Sequence, residues 1–117
     1  MTYIQGFVAA VPADRKQEYL AHAREAAEIF LGWGATRCVE NWGDEVPPGE
    51  RTDFYRATAA EEGEIIVFSW VEYPDKATSD AANQKMMTDP RMQNMQMPFD
   101  GARMIYGGFE TIFDQSR

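Results

Sequence analysis

Residues Glu64–Tyr73 read Glu-Ile-Ile-Val-Phe-Ser-Trp-Val-Glu-Tyr, apolar at odd and even positions alike. Alternate side chains of an extended strand point to opposite sides. Ile65, Val67 and Val71 therefore line one side, and Ile66, Phe68 and Trp70 the other. An antiparallel sheet with helices on one face normally turns polar residues to its open face. A chain of 117 residues is too short to cover both faces itself, so the pattern predicts that a second copy supplies the missing cover.

The same reading places the other elements. Tyr3–Val11 is β-branched and aromatic, a first strand ended by Pro12. Asp14 is the expected N-cap of a helix to about Trp33, with Gln17 as its capping-box partner. At about 100° per residue, Tyr19, Ala23, Ala26, Ala27 and Phe30 share one stripe, and Gly32 and Gly34 supply the stop. Ala35–Gly43 is a second strand. A long connection through Pro47, Pro48 and Gly49 follows, in which Thr52 caps a short helix over 53–58; the Phe54–Tyr55 pair also suits a strand extension. Pro74 closes the third strand and Asp75 caps a second long helix to about Met87, whose packed side gathers Ser79, Ala82, Asn83, Met86 and Met87. Asp89-Pro90 starts a further turn of helix, Pro98–Gly101 is a loop, and Met104–Phe113 is the last strand. The order β-α-β-β-α-β, with no linker, repeat or low-complexity segment, predicts one α+β domain over residues 1–117 with a ferredoxin-like antiparallel sheet.

Composition narrows the partners. Nineteen acidic against eleven basic side chains give a net charge of −8, which repels phosphate backbones and anionic membranes. RNA binding through a ferredoxin-like sheet shares this topology, but the charge and the apolar sheet argue against it. No nucleic-acid or membrane partner is expected. Cys38 is the only cysteine, so no intrachain disulfide forms and a reducing compartment fits. No basic leader precedes the short apolar run at Phe7–Val11, and no apolar stretch approaches the roughly 20 residues that span a bilayer. A cytoplasmic protein is expected.

Several segments carry a family resemblance: Val39-Glu40-Asn41-Trp42-Gly43-Asp44, Thr52-Asp53-Phe54, Val67-Phe68-Ser69-Trp70-Val71-Glu72, Asp89-Pro90-Arg91-Met92, and the run from Met97 to Phe109. In order and spacing they resemble the YbaA-like bacterial family, a domain of unknown function in the dimeric α+β-barrel superfamily, over nearly the whole chain. The resemblance implies a ferredoxin-like protomer whose sheet faces that of a partner, closing a barrel across a homodimer. That superfamily also includes cofactor-free monooxygenases, haem-degrading enzymes, chlorite dismutases and lactone isomerases. Fold does not select among these, and no active-site motif of any of them matches here residue by residue.

Candidate chemistry is sparse, and each candidate has a structural alternative. His22, the only histidine, sits at the edge of the first helix's apolar stripe, as a general base or ligand or as a satisfied boundary residue. Glu40 shares a strand face with Cys38 and Trp42. Turned into a cavity it would have a raised pKa and act as a base; at the rim it would pair with Arg37, Arg56 or Arg103. Glu40 and His22 are the catalytic candidates. Trp42, Asp53, Trp70, Asn83, Arg91 and Tyr106 are the ligand-binding candidates. Against this, Asp53 fits a helix start, Asn83 a structural amide, and Arg91 a pair with Asp100 or Glu72. Six of the seven methionines lie between Met86 and Met104, as core or as the adaptable lining of a pocket. Gly107-Gly108 suggests a bulge, or room for an aromatic from a partner subunit. Metal spacing, nucleophilic triads and phosphate loops are absent from the pattern, and no metal or cofactor is expected. The sequence thus predicts a small dimeric α+β-barrel protein that binds a small aromatic or apolar metabolite. The alternatives are a cofactor-free monooxygenase- or isomerase-like enzyme and a non-catalytic self-association module.

Overall fold

The two long central strands set the frame. In the structure, a computed structural model that describes residues 2–117, β1 (Tyr3–Pro12) and β3 (Glu64–Tyr73) run antiparallel over ten residues each. β2 (Arg37–Trp42) pairs with the outer edge of β3, and β4 (Ile105–Glu110) with the outer edge of β1. The sheet is four-stranded and antiparallel, in the order β2-β3-β1-β4. Between the strands lie α1 (Lys16–Gly32), α2 (Phe54–Ala57), α3 (Lys76–Thr88) and α4 (Pro90–Gln93). The fold is α+β.

β3 has the bounds its apolar run predicts, and its parity separates the two faces of the sheet. Val67, Ser69, Val71 and Tyr73 are buried toward α1 and α3, where Val11, Tyr19 and Val67 form one part of the core. Ala26, Phe30, Ala35, Val71, Tyr73 and Ala82 form the other. Gln5 on β1 donates a 2.9 Å hydrogen bond to Ser79 of α3, a polar tie through otherwise apolar packing. Of the expected apolar side of α3, Ser79 and Ala82 are fully buried and Met86 partly so, while Met87 stands in solvent.

The opposite face is partly covered by the chain's own connection between β2 and β3. Val46 and Phe54 close over Ile66 and Phe68, leaving a small hollow of about 90 Å³ there. Ile66 is buried as a result, but Phe68, Ile105 and Phe109 remain exposed.

Several caps and ends differ in detail from their sequence signals. Asp14 does not cap α1: a 3₁₀ turn, Ala13–Arg15, comes first and the helix begins after Arg15 with no side-chain cap. The turn is held instead by the Ala13 amide, which donates to the Gly63 carbonyl at 2.9 Å. At the other end of α1, Gly34 has φ +107°, and a Cβ there would lie only 2.6 Å from Thr78 Cγ2, so both backbone and space favour glycine. Asp53 rather than Thr52 caps α2, accepting from the Arg56 and Gly49 amides at 2.8 and 3.0 Å. Asp75 and Asp89 cap α3 and α4 as expected. β4 pairs through Gly107 and Gly108 in unbroken register, without a bulge. The space over these glycines is taken by aromatics of the same chain: Phe109 lies over Gly6 and Gly107, and Tyr3 over Gly108.

Candidate functional site

α1 crosses the sheet with its small residues inward, and small residues leave space. Ala23, Ala26 and Ala27 face Phe7 and Ala9 of β1, Cys38 and Glu40 of β2, and Ser69 and Val71 of β3 across a cavity of about 340 Å³, partly open to solvent. That volume falls at the lower end of the range of about 300–1,000 Å³ typical of small-molecule sites. The remaining wall comes from the last turn of α3 and the segment after it. Met86, Met92, Met95, Met97 and Met104 line it together with Phe99, closing the cavity with flexible, polarisable side chains.

That methionine segment is fastened at its far end by Arg103. The guanidinium forms a two-pronged pair with Glu64 at 2.7 and 2.8 Å and a further bond to Asp100 at 3.1 Å. Arg103 also donates to the Ala59 carbonyl at 3.0 Å. Its hydrogen bonds hold the Glu64 carboxyl below the usual carboxylate range. The start of β3 and the 3₁₀ turn Gly101–Arg103 before β4 are thereby locked together, and Phe99 and Met104 stay over the cavity.

One end of the cavity is polar. The Tyr19 hydroxyl donates to a Glu40 carboxylate oxygen at 2.5 Å. Ser69 stands directly across the β2–β3 ladder from Glu40, and its hydroxyl also favours the charged carboxylate. Glu40 keeps solvent access at the cavity mouth, yet enough protein surrounds its carboxyl that burial raises its pKa, with the Tyr19 and Ser69 hydroxyls offsetting part of the rise. Burial pushes the Tyr19 phenol well above its usual value, and the neighbouring Glu40 charge adds to this. His22, one turn along α1 from Tyr19, is held below its usual value by burial, with Glu25 pulling the other way. Its Nδ1 is the one buried side-chain nitrogen or oxygen without a hydrogen-bond partner among the described residues. Phe99 packs on both rings, 5.8 Å from Tyr19 and 6.0 Å from His22 between centroids. Cys38 lines the same wall as a thiol whose pKa is raised, chiefly by burial. It is a poor nucleophile there.

Of the catalytic and ligand-binding candidates, Glu40 and His22 meet in this cavity and the other six sit elsewhere. Glu40 does not pair with an arginine: Arg37 goes to Glu72, Arg56 to Asp53 and Arg103 to Glu64. Trp42 packs against Tyr19 at 6.1 Å from behind, under Lys16, and borders the smaller hollow. Asp53 is engaged as the α2 cap. Trp70 lies on the opposite sheet face, its Nε1 donating to Glu72 at 2.9 Å. Arg91 turns back on Asp89 at 2.7 Å rather than reaching Asp100 or Glu72. Tyr106 stands exposed on β4 beside Phe7, and Asn83 is half-buried on α3; neither lines the cavity. Tyr19 is the polar member of the site that sequence reasoning missed, because it reads as one more large residue of the helix stripe.

Comparison with known proteins places the chain in a family. Residues 2–101 match the family described as Protein of unknown function (DUF1428). The chain belongs to that family. It is 58% identical over 117 residues to the uncharacterized protein YbaA of Escherichia coli strain K12, covering 98% of this chain and 100% of the relative. YbaA of Escherichia coli O157:H7 and of Shigella flexneri match to the same extent. The family resemblance read from the sequence motifs is thereby borne out. A family of unknown function lends the chain no reaction, so its chemistry rests on the side chains themselves. No helix among the described residues is long and apolar enough to cross a membrane. No cluster of three or more histidine, cysteine, aspartate or glutamate side chains among them is arranged to hold a metal ion.

Proposed function

We propose that this protein binds a small, mainly apolar, aromatic metabolite in the cavity between α1 and the sheet. The observation that carries the reading is the cavity's make-up: about 340 Å³ walled by five methionines, Phe7, Phe30 and Phe99, with polar groups gathered around Glu40. An apolar pocket with a few convergent polar groups is the usual form of a ligand site. Methionines suit a flat ring, since their sulfurs make favourable contacts with aromatic edges. A thermal-shift screen against a library of aromatic metabolites tests the reading. Ala27→Phe, which fills the cavity from α1, serves as control. Stabilisation of the wild type by a subset of compounds, lost in Ala27→Phe, is expected. Stabilisation by none of them, or equally in both proteins, would overturn it.

We further propose that the protomer is ferredoxin-like and that a second copy covers its open sheet face, giving a dimeric α+β barrel. Phe68, Ile105 and Phe109 are 46%, 43% and 60% exposed on that face, a concentration of aromatic and aliphatic surface that monomers rarely leave in water. The ten-residue strands β1 and β3 span about 33 Å, the six-residue strands β2 and β4 about 20 Å, and four strands side by side roughly 19 Å. The face thus outlines roughly 500 Å², a substantial part of the ~800 Å² that each partner buries in an ordinary stable interface. The sheet order and the β-α-β-β-α-β succession support the ferredoxin-like description.

A further inference from the structure

We infer that the polar end of the cavity recognises a ring compound through a neutral hydroxyl group, as in a phenol, and rejects carboxylates. This deepens the ligand-binding reading and rests on it. The polar side chains in the wall are Tyr19, His22, Arg24, Cys38, Glu40 and Ser69. The Tyr19 hydroxyl is already committed to Glu40, and Ser69 stands directly across the ladder from the same residue. What Glu40 has left to offer an incoming molecule is acceptor capacity alone.

His22 adds the second half of the argument. Its Nδ1 is enclosed and unpartnered, a state that costs free energy until something fills it. A hydroxyl group both donates and accepts. With its one proton donated to Glu40, it still accepts from His22 in the Nδ1–H tautomer. A carboxylate only accepts, and would be brought against Glu40 in a chain of net charge −8. An ammonium group brings three donors into a wall that is otherwise largely methionine and phenylalanine, leaving donors unpaired beyond the one Glu40 accepts. Of the hydroxyl, carboxylate and ammonium head groups, the hydroxyl is the one that both donates to Glu40 and accepts from His22.

Calorimetric titration of the intact protein at neutral pH with four naphthalenes tests this. They carry hydroxyl, methoxy, carboxylate or aminomethyl at the same ring position. The hydroxyl compound is expected to bind about ten- to a hundredfold more tightly than its methyl ether, the range for one hydrogen bond to a charged acceptor, with the carboxylate weakest. In Glu40→Gln, whose amide supplies donors, the gap between hydroxyl and methoxy narrows and the carboxylate gains. Equal binding of the hydroxyl and methoxy compounds by the wild type would overturn the inference and leave the cavity reading standing. Tighter binding of the carboxylate or the ammonium compound than of the hydroxyl compound would do the same. Binding of none of the four would overturn the ligand-binding reading itself. The wild-type series decides the question even if Glu40→Gln misfolds, which circular dichroism would reveal.

Discussion

Tyr19, His22 and Glu40 each carry an electrostatic cost of burial, and the fold holds all three. Burial disfavours the charged form of each: it raises Tyr19 and Glu40 and lowers His22. The histidine gives a direct pH signature. Its folded pKa lies below its unfolded value of about 6.5, so the unfolded chain binds the extra proton and stability falls as pH drops from above 6.5 through the folded value. Glu40 acts with the opposite sign near and above the ordinary carboxylate range, because its raised pKa makes protonation favour the folded state. His22→Phe, compatible with the neighbouring Phe99 and Tyr19 rings, should flatten the fall in stability between about pH 7.5 and 5.5. Urea unfolding at the two pH values measures it, and an unchanged difference between them would count against a buried neutral His22. At this scale the sequence was half legible. Glu40 and His22 stood out because charged and titratable residues are few on apolar faces, whereas the Tyr19–Glu40 bond joins residues 21 positions apart. It depends on which turn of α1 lands over β2, and no local pattern encodes that.

Helix caps separate local from tertiary information at the level of elements. Asp75 sits between the end of β3 and α3, and its carboxylate accepts from the Thr78 amide at 2.8 Å and the Thr78 hydroxyl at 2.7 Å. Asp14 has the same sequence signature at the start of α1 but lies within a 3₁₀ turn and caps nothing. Asp75→Ala should therefore cost about 1 kcal/mol of stability, and Asp14→Ala should stay within about 0.5 kcal/mol of the wild type. Chemical denaturation of the two variants measures this, and equal losses would refute the assignment. β3 was legible to the residue because both faces of its run are apolar and turn residues bound it. β4 was expected to reach Phe113 but ends at Glu110. Glu110 pairs with Tyr3, the first residue of β1, so the ladder runs out of partner. Only the Thr111 amide continues it, donating to the Thr2 carbonyl at 3.1 Å. Strand length here is set by the neighbour, which a single segment's composition does not carry.

Across the whole molecule, the sheet divides two tasks between its faces. The α1 face encloses a cavity, and the opposite face leaves Phe68, Ile105 and Phe109 exposed, where we propose that a second copy docks. Phe68→Glu places a charge in the centre of the proposed interface, where an unpaired buried charge is strongly unfavourable. The wild type should sediment as a dimer at micromolar concentration and the variant as a folded monomer; a monomeric wild type would refute the proposed assembly. The two-sided apolar strand was legible from the start, but the partial cover by Val46 and Phe54 was not. It depends on a long proline-containing connection folding back over its own sheet. The central claim, that the space under α1 is a ligand site, meets its most direct test in crystals soaked with an iodinated naphthalene. An anomalous iodine peak between α1 and the sheet, among Phe30, Met86, Met92 and Phe99, is the predicted result. A peak confined to the Phe68–Phe109 face, with the methionines collapsed into a filled cavity, would contradict the account.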